Sequence, residues 1–162
     1  MAFNLSIISG GQAAADCAAL DFAIKYQIPY GGWCPKGRLY ADVPIDTRYQ
    51  LKETPTEAAS EAMESNVRDS DATIVFTTDP KAAGEARKIL SLARKLKKPC
   101  LHLHKGILGA HQKIIAFNEK HYVRRLHIAG SIEPEENGVH EWVTTVLEKV
   151  QAELQRQETT RR

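Results

Sequence analysis

A single α/β domain, built on a parallel sheet with helices on both faces, is the fold class this chain predicts, on three observations. Short strand-like runs alternate with longer stretches of helix formers from one end to the other. The clearest run, Ala72-Thr73-Ile74-Val75-Phe76-Thr77, is apolar or β-branched throughout, as a strand buried on both faces must be. Gly10-Gly11, Asp79-Pro80 and Gly130-Ser131 each follow such a run, where a βα unit turns into its helix.

In chain order, Asn4 to Ser9 reads as a short strand, and Asp16 to Ile24 as a helix with apolar residues at near-helical spacing. Ile28-Pro29-Tyr30 leads into the glycine-rich stretch Gly31 to Arg38, and the segment on to about Pro55 carries prolines and charges with little periodicity, as a long functional loop does. Thr54 or Thr56 is placed to cap a helix running to about Val67. Lys81 to Lys97 sets Ala82, Ala86, Ile89, Leu90, Ala93 and Leu96 among cations, an amphipathic helix that ends before Lys98-Pro99. Cys100 to His104 is a strand, Leu108 to Lys120 a helix, Arg125 to Ala129 a strand, and Gly138 to Gln155 the last helix. The sum is one Rossmann-like domain over residues 1–156 with a polar tail, 157–162, expected to fray.

The 162 residues suffice for one buried core without cross-links. A hydrophobic content of 43%, 26% charged residues and a net charge of +2 are ordinary for a soluble protein and point to neither nucleic acid nor a membrane. No basic segment precedes an apolar core at the N-terminus and no apolar run approaches membrane length, so the expected compartment is the cytoplasm. The three cysteines, Cys17, Cys34 and Cys100, lack CxxC spacing and read as reduced thiols.

Two stretches carry the functional signal. Ser9-Gly10-Gly11-Gln12 ends a strand and opens a helix, so its main-chain N–H groups and the positive helix end can meet an oxyanion. Gly31-Gly32-Trp33-Cys34-Pro35-Lys36-Gly37-Arg38 sets three glycines, an aromatic face and two cations in eight residues. Lys36 and Arg38 can neutralise an anion, Arg38 with a bidentate fork, and Trp33 can stack on a flat heterocycle. Since ligands of open parallel sheets sit outside the carboxyl ends of the strands, these stretches can converge with Thr77 to Pro80 and Gly130-Ser131 on one cleft. Asn66 and Ser131 are candidate polar contacts.

Each feature also has a plainer role open to it. Gly10-Gly11 lacks the full GxGxxG or GxxxxGK pattern and serves equally as a tight turn, and Trp33 serves equally as an anchor on the core. Cys34 has no neighbouring base in the sequence and reads as an inert thiol. His102 and His104 alternate on one strand face, but no third ligand can be placed, so no metal site is assigned. Asp16 and Asp21 suit helix N-terminal charges, and Asn66, Asp69 and Asp71 suit a helix-to-strand connector.

Ser9 to Gln12, Asp16 with Ala18-Ala19-Leu20-Asp21, the tryptophan-bearing loop and Asn66-Val67-Arg68-Asp69-Ser70-Asp71-Ala72-Thr73 together resemble the family described as molybdenum cofactor carriers. Leu126 to Ser131, followed by Glu133 and Gly138, resembles that family's last strand and ligand-side turn. The resemblance implies a Rossmann-like fold akin to the SLOG and lysine-decarboxylase-like group, assembly into a dimer or tetramer, and binding of a molybdopterin-type cofactor or another small phosphate-bearing ligand, with no catalytic residues. Backbone at Gly10, Gly11 and Gln12 would take phosphate; Gly32, Trp33, Lys36, Gly37 and Arg38 would form the loop over the ring.

The chain departs from the family pattern twice. Ala13-Ala14-Ala15 replaces a Thr-Gly pair and small apolar residue, removing a hydroxyl donor, and Thr77-Thr78-Asp79-Pro80-Lys81-Ala82-Ala83-Gly84 replaces a Gly-Thr-rich turn. The related phosphoribohydrolase signature, Pro-Gly-Gly-x-Gly-Thr followed by Glu, is missing. A rival reading is an enzyme on a nucleotide or nucleotide-sugar phosphate, with Asp16, Asp42 or Glu64 as acid or base; a third is a relative that has lost its ligand and serves as an interaction module.

Overall fold

A computed structural model describes residues 3–131 and 138–162. Nine strands and five helices are described: β1 Ser6–Ile8, α1 Ala14–Lys25, β2 Tyr30–Gly31, β3 Trp33–Cys34, β4 Leu39–Tyr40, β5 Val43–Pro44, β6 Lys52–Glu53, α2 Ala59–Arg68, β7 Ala72–Thr77, α3 Gly84–Lys95, β8 Cys100–His104, α4 Ala110–Lys120, β9 Arg125–Gly130 and α5 Val139–Arg161.

The main sheet has five strands in the order β2-β1-β9-β7-β8, every neighbouring pair parallel. Strand alternation divides its side chains between two cores. Ile7, Ile74, Phe76, Leu103, Leu126 and Ile128 point to one face and join residues of α1, α4 and α5. Val75 and Ala129 point to the other and pack with α2 and α3. The alternation of strands and helices in the sequence therefore yields the predicted Rossmann-like α/β fold.

The strand order contains a further regularity. If the chain were joined end to end and opened before β7, the same sheet would read 2-1-3-4-5, a common doubly wound order. The topological switch then lies between β7 and β9, and the crevice outside their carboxyl ends is where this architecture receives ligands.

Several local expectations change. The segment from 28 to 55 is not structureless: β3 pairs with β6, and β4 with β5 in a tight hairpin whose turn residues Ala41 and Asp42 both take positive φ. Neither Thr54 nor Thr56 caps α2, whose N-cap is Ala58. Thr54 is buried, and its hydroxyl donates to the Cys34 and Thr56 carbonyls, fastening the loop instead. α3 starts at Gly84 rather than Lys81, and α5 runs on to Arg161, so residues 157–161 continue the last helix. Within this last stretch Thr159 and Thr160 return their hydroxyls to carbonyls one turn back, and Gln157 donates to Glu153.

Candidate functional site

The turn after β1 is held by contacts that only glycine permits. A Cβ on Gly32, where φ is +144°, would fall on the Ser9 carbonyl oxygen, so the chain crosses the end of β1 with no side chain between. Gly11, at φ +71°, faces Ile45, Leu51 and Tyr49 from the loop. Gly130 ends β9, where a Cβ would lie 2.7 Å from Ala15 Cβ and 2.9 Å from the Phe76 carbonyl. Ser131 N–H donates to that same carbonyl at 3.3 Å, across the switch between β9 and β7. Gly10, Gly11, Gly32, Gly130 and Ser131 thus gather at the carboxyl edge of the sheet.

Asn66 reaches this cluster from α2 and is fully engaged there. Its Oδ1 accepts from Trp33 N–H at 2.7 Å and its Nδ2 donates to the Trp33 carbonyl at 3.0 Å, a two-point clamp that a neighbouring strand would otherwise supply. Ser70, one turn on, returns its hydroxyl to the Asn66 carbonyl. Asn66 thereby positions the loop.

Asp16 stands in the first turn of α1 and is 5% exposed. Gln12 N–H donates to its Oδ2 at 3.4 Å, whereas Oδ1 is buried with no hydrogen-bond partner among the described residues. The carboxylate itself occupies the positive end of α1, where an external anion was expected. Burial pushes its pKa up to about 7, against the opposing pull of the main-chain N–H groups of Gln12, Gly10 and Ala13.

Asp16 lines a cavity of about 20 Å³ with Gln12, Asn66, Met63, His127 and Gly10, room for one water-sized group. His127 lies on β9 with Thr73 opposite; the Thr73 hydroxyl meets its Nδ1 at 3.1 Å, and burial pulls the imidazole down to about 4. Tyr40, from the β4–β5 hairpin, has its phenol pushed up by burial and by the nearby charges of Glu85 and Asp16, which sets the hairpin near the starts of both α3 and α1.

The two loop cations part company. Arg38 Nη2 donates to the carbonyls of Asp46 and Tyr49, each at 2.9 Å, so the guanidinium braces the loop wall that backs Gly11. Lys36 is exposed; its N–H bonds the Thr56 carbonyl, and Gly37 N–H bonds Glu53 Oε1. Tyr49, buried under this wall, donates its hydroxyl to Asp21 Oδ1 at 2.7 Å, and Asp21 also meets Arg48 and His140. Asp21 is therefore the anchor of the loop on α1, a role that its position in the helix does not announce.

Trp33 turns away from the crevice. Its neighbour Cys34, buried against Leu20, Ile45 and Tyr49 with its thiol pushed up by burial, points to the α1 side, and alternation sends the indole to the opposite side. The indole N–H donates to Asp69 Oδ2 at 2.8 Å, and Lys52 Nζ lies 5.6 Å from the ring centre. Asp42 and Glu64 are exposed, leaving Asp16 as the buried carboxylate of the three acid–base candidates. His102 pairs with the Thr77 hydroxyl, and among the described residues no group of three or more His, Cys, Asp or Glu is placed to hold a metal. Glu133 lies outside the described residues.

Comparison with known proteins now decides the family. The circularly permutated YpsA SLOG family matches residues 7–151. The chain belongs to it. The family's permutation agrees with the strand order, which becomes a regular doubly wound sheet when read from β7. A crystal structure from Syntrophus aciditrophicus SB, described as a "Putative molybdenum carrier protein", is 38% identical with a TM-score of 0.84, over 91% of this chain and 95% of that one. No curated protein matches the chain. Among the described residues no helix is long and apolar enough to cross a membrane.

Proposed function

We propose that this SLOG protein is a carrier that holds a small phosphate-bearing ligand, of the molybdenum cofactor type, at the carboxyl edge of its sheet. The observation that carries the reading is the topological switch between β7 and β9, whose carboxyl edge is where a doubly wound sheet receives ligands, in a chain 38% identical to a protein described as a "Putative molybdenum carrier protein".

The residues present fit such a group on the surface of the crevice and not inside it. A phosphate is too large for the cavity of about 20 Å³ beside Asp16, whose carboxylate already takes the Gln12 N–H. The oxyanion would lie over the rim, against Gln12, Ser131 and the first main-chain amides of α3 near Gly84, with the Tyr40 hairpin alongside. A bound molybdenum cofactor would supply metal-centred redox chemistry to the enzyme that receives it; the residues of this chain would hold it at the crevice rim. Assembly into a dimer or tetramer is part of the proposal.

One observation favours a second reading. A buried carboxyl whose pKa stands at about 7, next to a ligand crevice, is suited to general acid–base work on a nucleotide. Titration calorimetry with molybdopterin and with mononucleotides, combined with assay for released base or phosphate, separates the two. The carrier reading expects stoichiometric binding with every ligand recovered intact; product release contradicts it, as does absence of binding to all of them.

A further inference from the structure

Among the described residues, no helix covers one part of one face of the doubly wound sheet. Ser6 and Ile8 of β1 point to the α2–α3 side, opposite Ile7, and α2 and α3 cover β9, β7 and β8 but not the β1–β2 edge. A cavity of about 310 Å³ opens there, at the lower end of the range for small-molecule sites.

Gly31 makes this cavity possible. It pairs with Ile8, so a side chain at 31 would project to the same face, and a Cβ there would meet nothing within 4 Å. Trp33 and Asp69 form one wall, and Lys52 and Arg125 stand at the rim, both exposed. Burial would raise the Asp69 carboxyl, but the indole N–H, the Arg68 guanidinium and the nearby charge of Arg125 hold it below its usual range, so Asp69 offsets part of the positive charge and the lining, with Lys52 and Arg125 against one carboxylate, stays positive by one. That hydrogen bond also fixes the plane of the indole.

We propose that this cavity is a binding site for a flat aromatic ring bearing one anionic group, the ring seated on Ile8 and Gly31 beside Trp33 and the anion between Lys52 and Arg125. It is distinct from the crevice of the proposed carrier function: the small cavity beside Asp16 shares no residue with it, and the two regions meet at Gly32, which crosses the end of β1 between them. The chemistry is that of an aromatic acid or of a nucleotide base with its phosphate, and the test separates these sources. Fixed indole, apolar floor and the two lining cations each recognise one part of such a molecule.

The test uses the full chain carrying Trp142→Phe, which leaves Trp33 as the single tryptophan. Its fluorescence is titrated with quinoline-2-carboxylate and with adenosine 5′-monophosphate, acetate and inorganic phosphate serving as ringless controls. Saturable quenching by either ring-bearing anion, but by neither control, is expected. Gly31→Leu, which fills the cavity, and the pair Lys52→Ala with Arg125→Ala should each weaken it by about tenfold or more, as loss of a charge-assisted contact or of the ring's space does, with melting temperature unchanged. Quenching by the acid alone or the nucleotide alone identifies the source. The proposal is overturned if neither quenches, if Gly31→Leu leaves quenching intact, or if gel filtration shows an assembly that Gly31→Leu dissociates, which would make this face a subunit contact.

Discussion

Gly31 and Gly32 are adjacent in sequence and opposite in consequence. Gly32 is pressed against the Ser9 carbonyl at the carboxyl edge, where every polar group of Asn66 is engaged and Asp16 takes the end of α1, while Gly31 looks into open space on the sheet face. The comparison separates two kinds of glycine in one loop: one demanded by backbone crowding, the other leaving a cavity that a side chain would fill. A glycine-rich loop does not by itself mark where a ligand goes; the packing around each glycine does.

The largest effect expected is at Gly32. Gly32→Ala places a Cβ on backbone at a φ that side chains rarely adopt, and should cost on the order of 4 kcal/mol or more, leaving the chain largely unfolded by circular dichroism. A folded variant with an unchanged melting temperature would break the comparison at its root. Next comes Asn66→Ala, which strips the Trp33 N–H and carbonyl of their partners and should cost about 2–3 kcal/mol by denaturant titration; a cost near zero would mean the clamp does not position the loop.

The buried pair beside the crevice sharpens the comparison through pH. Asp16, raised from 3.8 to about 7, keeps its proton in the native state after the unfolded chain has released it, so its contribution is full below pH 3.8 and is lost as pH rises to about 7. His127, lowered from 6.5 to about 4, stays neutral in the native state while the unfolded chain takes up a proton, so stability is lost as pH falls from 6.5 to about 4. The two slopes oppose each other across the same window. Asp16→Asn should unmask stability that rises with pH between about 4 and 6.5, and His127→Gln stability that falls between about 4 and 7, each read from urea midpoints against pH. Unchanged slopes in both variants would mean that neither group is held in the native state as its burial implies. The smallest effect is at Gly31: Gly31→Ala should shift stability by no more than about 0.5 kcal/mol, and a large loss would show the space is closed in solution.

Most of the elements were legible in the sequence, because helix and strand periods are local. Ala72–Thr77 and Cys100–His104 have the bounds the residues announce. The strand order was not legible: β9 enters between β1 and β7, a pairing between residues far apart in the chain that no local period encodes. At the edge of the sheet, Ser9-Gly10-Gly11 announced a tight turn, but Arg38 as a loop brace needed the carbonyls of Asp46 and Tyr49 to be located first. The direction of Trp33 became readable only when Trp33–Cys34 was found to be a strand paired with β6, since neighbours in a strand point opposite ways and Cys34 is buried. Asp16 looked like a helix-end charge and does sit at that end, yet its burial, which raises its pKa, depends on α2 and β9 meeting over it.

The central claim, that a phosphate-bearing ligand sits at the carboxyl edge of the sheet, is tested most directly by following backbone amide resonances while molybdopterin is added to the isotope-labelled chain. The account predicts shifts concentrated in residues 10–13, 78–85 and 130–131, at the starts of α1 and α3 and the end of β9. Binding that leaves those amides unmoved, with shifts elsewhere, would contradict it.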